Sequence, residues 1–228
     1  NCLITPVDAR INVYDLTNNR AFTLPCENRQ NIRRLALSPD GRIILSIDDQ
    51  GHCLIVNFLK GVILSRINFK TRVHDAKFSP CGRYVAVTSD RRVTVWESPH
   101  IDLGWQLAKI STIGGHADKV TSLDWSENSR FLVTTGRDNT VRVFSRELLE
   151  DFIPTSFVRF RSAPRGAFFS RDMRTVVAVS EDGTVFVWEW VDGPPDDEAD
   201  NAGRVIGKSA KRKKWQVEAQ QEAKKNGT

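Results

Sequence analysis

A short apolar run ending in a serine-led turn occurs four times in this chain, and this repeat decides most of what the chain can become. The copies are Leu35-Ala-Leu-Ser38-Pro-Asp-Gly41, Ala76-Lys-Phe-Ser79-Pro-Cys-Gly82, Leu123-Asp-Trp-Ser126-Glu-Asn-Ser129 and Ala167-Phe-Phe-Ser170-Arg-Asp-Met173. Their serines stand 41, 47 and 44 residues apart. Each turn leads into a second β-rich run: Ile43-Ile-Leu-Ser-Ile47, Tyr84-Val-Ala-Val-Thr88, Phe131-Leu-Val-Thr-Thr135 and Val176-Val-Ala-Val-Ser180. A third run follows, usually opened by an acid-led tight turn: Asp90-Arg-Arg-Val-Thr-Val-Trp96, Asp138-Asn-Thr-Val-Arg-Val-Phe144 and Asp182-Gly-Thr-Val-Phe-Val-Trp188. Asp8-Ala-Arg-Ile-Asn-Val-Tyr14 is the same element, so a repeat is already under way at the first residues. In Gly51-His-Cys-Leu-Ile-Val-Asn57 the pattern sets Asn57 where the aromatic should be. A more variable fourth run ends each unit, at 21–24, 62–69, 106–112 and 157–161.

Alternation of period two places successive side chains on opposite faces of a four-stranded antiparallel unit. Ser-Pro-Asp-Gly and Asp-Gly supply the backbone conformations that tight turns need. A sheet apolar on both faces cannot stand alone, and radial stacking of such sheets buries both faces and leaves only short edges. The expectation is an all-β chain. Its period, and the aromatic that ends the third strand, make residues 1–190 resemble the WD40-repeat family, whose repeats run about 40–45 residues. The resemblance implies a partial WD40 β-propeller, about four to five blades of a seven-bladed ring. Residues 191–228 are then an acidic and afterwards basic flexible insert, with a closing strand near 213–219. The first residue is Asn1, so the chain reads as a fragment, and an open arc of this kind would expose raw blade faces.

The net charge of +5 is unevenly placed. Residues 1–190 are nearly balanced, 191–203 hold five acids and no base, and 204–228 hold eight bases and two acids. The whole-chain pI therefore overstates any basic nucleic-acid surface on the repeats. The cluster Lys208, Lys211, Arg212, Lys213 and Lys214 is a candidate nucleic-acid contact or nuclear-import signal, or else a solvated loop. Cys2, Cys26, Cys53 and Cys81 form no CxxC pair, which favours reduced thiols in an intracellular protein. No apolar run is long enough for a membrane-spanning helix, and no signal-peptide layout opens the chain. We expect no membrane partner.

Catalytic motifs are missing. There is no GxSxG, HExxH or GxGxxG. Gly203-Arg-Val-Ile-Gly207-Lys208-Ser209 has three residues between its glycines where a phosphate-binding loop requires four, and no apolar strand precedes it. Four scattered histidines offer no metal-ligand spacing, so neither metal nor cofactor is expected. His116 and Asp138 could be taken for a catalytic dyad, but a turn-locking structural pair is the better reading. In the WD40 family a Gly-His pair before strand one, a Ser/Thr on strand two, the turn Asp and the strand-three Trp share a hydrogen-bonded network. The resemblance maps this onto His116, Thr134 or Thr135, and Asp138. Phe144 stands in the Trp position and has no N–H to donate, so the chain of bonds is expected to be incomplete. Trp96, Trp188 and Asp182 are the matching structural positions of other repeats, and Trp96 and Trp188 are expected in the core. Trp125 and Trp190 belong on blade surfaces or between blades, where packing is favoured over stacking on RNA.

The order of these motifs narrows the resemblance. Leu3-Ile-Thr-Pro-Val-Asp-Ala-Arg-Ile-Asn-Val-Tyr-Asp-Leu-Thr-Asn-Asn-Arg20, Val73-His-Asp-Ala-Lys-Phe-Ser-Pro80 and the charged insert after Trp188 resemble one family of nucleolar WD40 scaffolds. Its members are subunits of the UTP-B subcomplex of the small-subunit processome. The resemblance implies a non-catalytic role in ribosome biogenesis, in the nucleus and nucleolus. The implied partners are other WD40 and helical UTP-B subunits, with pre-rRNA and small nucleolar ribonucleoprotein. The competing reading is a WD40 adaptor, such as a ubiquitin-ligase substrate receptor or a modified-peptide reader.

Overall fold

The structure, a computed structural model, describes residues 2–146, 155–158, 160–190 and 215–218. They form nineteen strands in five antiparallel sheets. The first sheet has three strands, β1 (Cys2–Val7), β2 (Arg10–Asp15) and β3 (Arg20–Glu27). The second comprises β4 (Ile32–Leu37), β5 (Ile43–Asp48), β6 (His52–Asn57) and β7 (Val62–Asn68). The third comprises β8 (Val73–Phe78), β9 (Tyr84–Ser89), β10 (Arg92–Glu97) and β11 (Ala108–Ile113). The fourth holds β12 (Val120–Trp125), β13 (Phe131–Gly136), β14 (Thr140–Ser145) and β15 (Thr155–Val158). The fifth holds β16 (Pro164–Phe169), β17 (Thr175–Ser180), β18 (Val185–Trp190) and β19 (Trp215–Glu218). Every sheet pairs its strands in chain order, and β4, β8, β12 and β16 stand side by side as neighbours across sheets.

Each serine-led turn is closed by one device. The Ser126 hydroxyl accepts the Phe131 amide at 2.9 Å, and Ser38, Ser79 and Ser170 accept the amides of Ile43, Tyr84 and Thr175 in the same way. A side-chain oxygen that bonds the nearby backbone offers the chain a ready turn, so the serine is the residue that makes the repeat recur.

Register corrects one sequence expectation. Trp96 pairs with Val85, Phe144 with Leu132 and Trp188 with Val176, each opposite the second residue of its neighbour. In the second sheet that place belongs to Val56, opposite Ile44, while Asn57 pairs with Ile43. The aromatic is thus replaced by Val56, not Asn57. The slip came from aligning Gly51 with the turn aspartates. Gly51 (φ +88°) instead occupies the left-handed place that Asn139 (φ 56°) holds in the fourth sheet, one residue after Asp138. A one-residue slip moves every side chain to the other face, so the distinction decides which layer each residue fills.

The core consists of four apolar layers, each lying between two sheets. Ile11 and Val13 meet Ile44, Leu54 and Val56 between the first and second. Leu45, Ile47 and Ile55 meet Val73, Val85 and Val87 between the second and third. Val93 and Val95 meet Leu123, Trp125 and Leu132 between the third and fourth. Val133, Val141 and Val143 meet Ala167, Val176 and Trp188 between the fourth and fifth. Neighbouring residues of β5 and β13 therefore serve different layers, and both strands are buried along their whole length.

Polar bonds also cross between sheets. Lys77 pairs with Asp124 at 3.0 Å, and the Asp75 carboxylate accepts the Leu123 amide at 3.1 Å. The Trp125 indole, 5% exposed, donates to the Lys77 carbonyl at 3.1 Å, which places Trp125 between sheets. Trp125→Phe keeps most of the packing but leaves that carbonyl without its donor. The expected loss is about 1–2 kcal/mol, read as an earlier midpoint in urea unfolding.

Candidate functional site

The fourth sheet carries a closed polar network at one rim. His116 lies in the loop before β12, and the turn between β13 and β14 brings Asp138 to it. His116 Nδ1 is 3.1 Å from both carboxylate oxygens of Asp138. With Nδ1–H donating to a carboxylate, Nε2 accepts, and the Thr134 hydroxyl donates to it at 2.8 Å. Asp138 also accepts the Ala117 amide at 2.8 Å and the Thr140 hydroxyl at 2.8 Å. Thr134 is thus the strand-two partner, while Thr135 bonds Thr121 at 2.9 Å. The Phe144 ring meets the imidazole edge-on with centroids 6.5 Å apart.

Electrostatics favour a neutral histidine beside a charged aspartate. Burial holds the His116 imidazole below its ordinary value, against the opposing pull of Asp138. Burial alone would raise the Asp138 carboxyl. Hydrogen bonds from the Ala117 amide, His116 and Thr140 outweigh it and keep the group below the usual carboxylate range. Both imidazole nitrogens are engaged, Nδ1 by Asp138 and Nε2 by Thr134, and the ring is buried. Gly136 makes room for the pair: a Cβ there would lie 2.4 Å from His116 Nδ1 and 2.5 Å from Asp138 Oδ1. Sequence reasoning missed Thr140 and Gly136. The spacing Gly-x-Asp-x-Thr around the tight turn was the available signal.

The other sheets solve the same corner differently. The place four residues before the first strand holds Asn28, Phe69, His116 and Phe160 in turn. Asn28 exchanges hydrogen bonds with Ser46, and buried Asp48 takes His52 at 3.1 Å. Phe69 packs edge-on against Trp96 at 5.6 Å, and Trp96 is half-buried. Phe160 joins Phe186 and buried Trp188. Asp182 instead locks its own turn: the Ser180 hydroxyl and the Thr184 amide bond it, pushing its carboxyl down to about 2. The polar network therefore links His116 with Asp138, Thr134 and Thr140 and stops short of the Phe144 ring, and aromatic packing serves at Trp96 and Trp188.

On the same rim, cations gather. Arg33 and Arg72 share Asp49, at 3.1 and 3.0 Å. The Arg137 amide donates to the Lys119 carbonyl at 2.9 Å, which sets those two side by side. His74 stands between the pairs: burial first, then the charges of Arg33, Lys119, Arg72 and Arg137, hold its imidazole below the ordinary value. The opposite rim has two cavities of about 410 and 720 Å³, around Pro80 to Tyr84. Lys208, Lys211, Arg212, Lys213 and Lys214 lie outside the described residues. Among the described residues the four cysteines are free, no cluster of His, Cys, Asp or Glu could hold a metal ion, and no helix is long and apolar enough to cross a membrane.

Stacked antiparallel sheets of three or four strands, serine-led turns and a His–Asp–Thr corner define a repeat-built propeller, and comparison with known proteins agrees. A profile described as "WD domain, G-beta repeat" matches residues 107–145 and 161–189, and one described as "Anaphase-promoting complex subunit 4 WD40 domain" matches 3–86. A chain in a structure titled "Crystal Structure of Mitotic Checkpoint Complex" superposes with a TM-score of 0.71 at 16% identity, over 85% of this chain and 59% of that one; at this identity the likeness speaks to fold alone. The chain belongs to the WD40-repeat class of β-propeller proteins.

Within that class it resembles Periodic tryptophan protein 2. The protein of that name from Saccharomyces cerevisiae is 38% identical over 200 residues, covering 86% of this chain and 22% of the relative. The Arabidopsis thaliana protein is 37% identical over 83% of this chain and 22% of its own length. The Mus musculus homolog is 32% identical over 86% of this chain and 21% of its own. The chain spans about a fifth of the length of these curated relatives.

Proposed function

We propose that the chain is part of a non-catalytic scaffold in ribosome biogenesis, a subunit of the small-subunit processome that supports pre-rRNA processing in the nucleolus. The single observation that carries this reading is the shared name of its relatives. Proteins called Periodic tryptophan protein 2 in yeast, plant and mouse match most of the chain at 32–38% identity. The closed His116–Asp138 corner supports a structural role for that pair over catalysis. Residues 1–190 form the repeat arc on this reading. Residues 191–228 are a charged insert that carries β19 back to the fifth sheet. The partners are other WD40 and helical UTP-B subunits, with pre-rRNA and small nucleolar ribonucleoprotein. The Lys208 to Lys214 cluster and the rims supply contacts. The adaptor reading draws on nothing as specific.

The test is affinity purification of the tagged full-length protein from cells, followed by sequencing of its RNA and mass spectrometry of its proteins. Enrichment of pre-rRNA with small nucleolar ribonucleoprotein proteins is the expected result. Cullin-type ligase subunits without that RNA would establish the adaptor reading instead.

A further inference from the structure

The charged rim of the second to fourth sheets has no part in the turn-locking network and is not explained by folding. Four cationic side chains from separate segments meet there: Arg33 on β4, Arg72 just before β8, Lys119 just before β12 and Arg137 just after β13. Asp49 pairs with the two arginines of the first pair. Lys119 and Arg137 have no ion pair among the described residues, and with Arg72 they are exposed. Asp49 offsets part of the charge of the arginine pair, and Asp118, whose carboxylate accepts the Lys119 amide, offsets part of the other. The like charges that remain around the half-buried His74 imidazole repel one another and raise the energy of the bare surface. An anion laid across it would relieve that repulsion.

We propose that this rim binds the phosphate backbone of RNA. The choice of RNA rests on the ribosome-biogenesis reading above; the choice of an extended phosphate chain rests on the surface. The cations come from three neighbouring sheets, the second to the fourth, with His74 of the third among them, and a row of this kind suits a line of phosphates more than a single carboxylate. Among the described residues the exposed large hydrophobics of the second to fourth sheets are Leu37, Leu59, Val62 and Ile101, towards the other rim, and Ile110 on β11, the edge strand of the third sheet. A peptide site draws its energy from apolar or aromatic anchors in pockets, and the two cavities described above also lie on the other rim. Among the described residues the ring within the cluster is the half-buried His74 imidazole, which offers little face for stacking bases, so recognition is chiefly of backbone and not of sequence.

The experiment is equilibrium binding of a short mixed-sequence single-stranded RNA to the full-length protein over a range of salt concentrations. One variant combines Arg72→Glu, Lys119→Glu and Arg137→Glu. A control combines Arg42→Glu, Arg171→Glu and Arg174→Glu, exposed on the opposite rim. The first variant is expected to lose at least about tenfold in affinity and about 2 in the slope of log affinity against log salt, with the control unchanged. Because Arg72→Glu also breaks the Asp49 pair, the milder Lys119→Ala with Arg137→Ala keeps the test open if the triple variant melts early; it should lose about 1 in slope. Equal losses in variant and control, or none in either, would overturn the proposal. So would displacement of the RNA by polyglutamate at equal charge, which would mark an acidic-peptide site. The two readings fail separately. Loss of RNA affinity in the variant, with no pre-rRNA in particles from cells, sinks the processome role and leaves the rim. Intact particles with unchanged RNA binding sink the rim alone.

Discussion

Asp138→Ala is expected to lower stability by about 3–4 kcal/mol, because one carboxylate is the acceptor for four donors that would be stranded together. Those donors are the Ala117 amide, the Thr140 amide and hydroxyl, and His116 Nδ1. The loop before β12 is tied to the β13–β14 turn through this one group, so the loop should loosen as well. Differential scanning calorimetry would read the change as a melting temperature lower by about 10 °C. A drop of only a degree or two would show that water replaces the carboxylate at little cost. His116→Ala should cost less, and the double variant should cost less than the sum, since both remove the same bond. The pH dependence has a definite sign. The folded His116 resists protonation more than the unfolded chain does, so the unfolded state takes up the proton first. Its contribution is full above the ordinary histidine value of 6.5 and declines as pH falls below it. Asp138, held low in the fold, adds its share above 3.8 and loses it as pH falls further. The wild-type chain should therefore lose stability on acidification from neutral pH, and His116→Ala should flatten the first part of that curve.

Gly51→Ala is expected to be as damaging, for a steric reason. Gly51 has φ +88°, a conformation that costs an L-residue on the order of 1 kcal/mol before any contact is counted. A Cβ at this place would also lie 2.2 Å from the carbonyl oxygen of Thr71, which is backbone and cannot swing aside. The Gly51 carbonyl accepts the Phe69 amide at 3.0 Å, so shifting the turn breaks that bond as well. The expected total is about 3–4 kcal/mol. Gly41→Ala is the matched control: φ is +69° and nothing stands within 4 Å of the added methyl. It should show the conformational cost alone, about 1 kcal/mol. Guanidinium unfolding of the two variants separates strain from collision, and equal losses would show that the Thr71 carbonyl gives way freely.

How much of this was visible in the sequence depends on how local each signal is. The strand order was legible because period-two alternation and the Ser38, Ser79, Ser126 and Ser170 turns are each written within a few residues. The His116–Asp138 pair was legible because a Gly-His step and an acid-led turn mark it. Its equivalents were not. Asn28 with Ser46, and Phe160 with Phe186, perform the same corner-holding task with different chemistry, and only register reveals that they stand in the same place. Val56 was misread for the same reason: a turn glycine was aligned with a turn aspartate, and the count slipped by one. The cationic rim was invisible because Arg33, Arg72, Lys119 and Arg137 come from four segments that meet only when sheets stack. The balanced charge of residues 1–190 conceals it further.

The four apolar layers set a limit on how such a chain can change over generations. A repeat looks like an independent unit when written as a string, yet no sheet owns the layer it helps to fill. Leu45 and Ile55 answer to Val73 and Val85, whereas Ile44 and Val56, one residue away from each, answer to Ile11 and Val13. Moving one repeat to another position would match its turns and hydrogen bonds but break two seams at once. Compensating substitutions should therefore pair across neighbouring repeats more often than within one. Duplication of whole repeats, which built the pattern, would then have become steadily harder to repeat as each seam acquired its own shape.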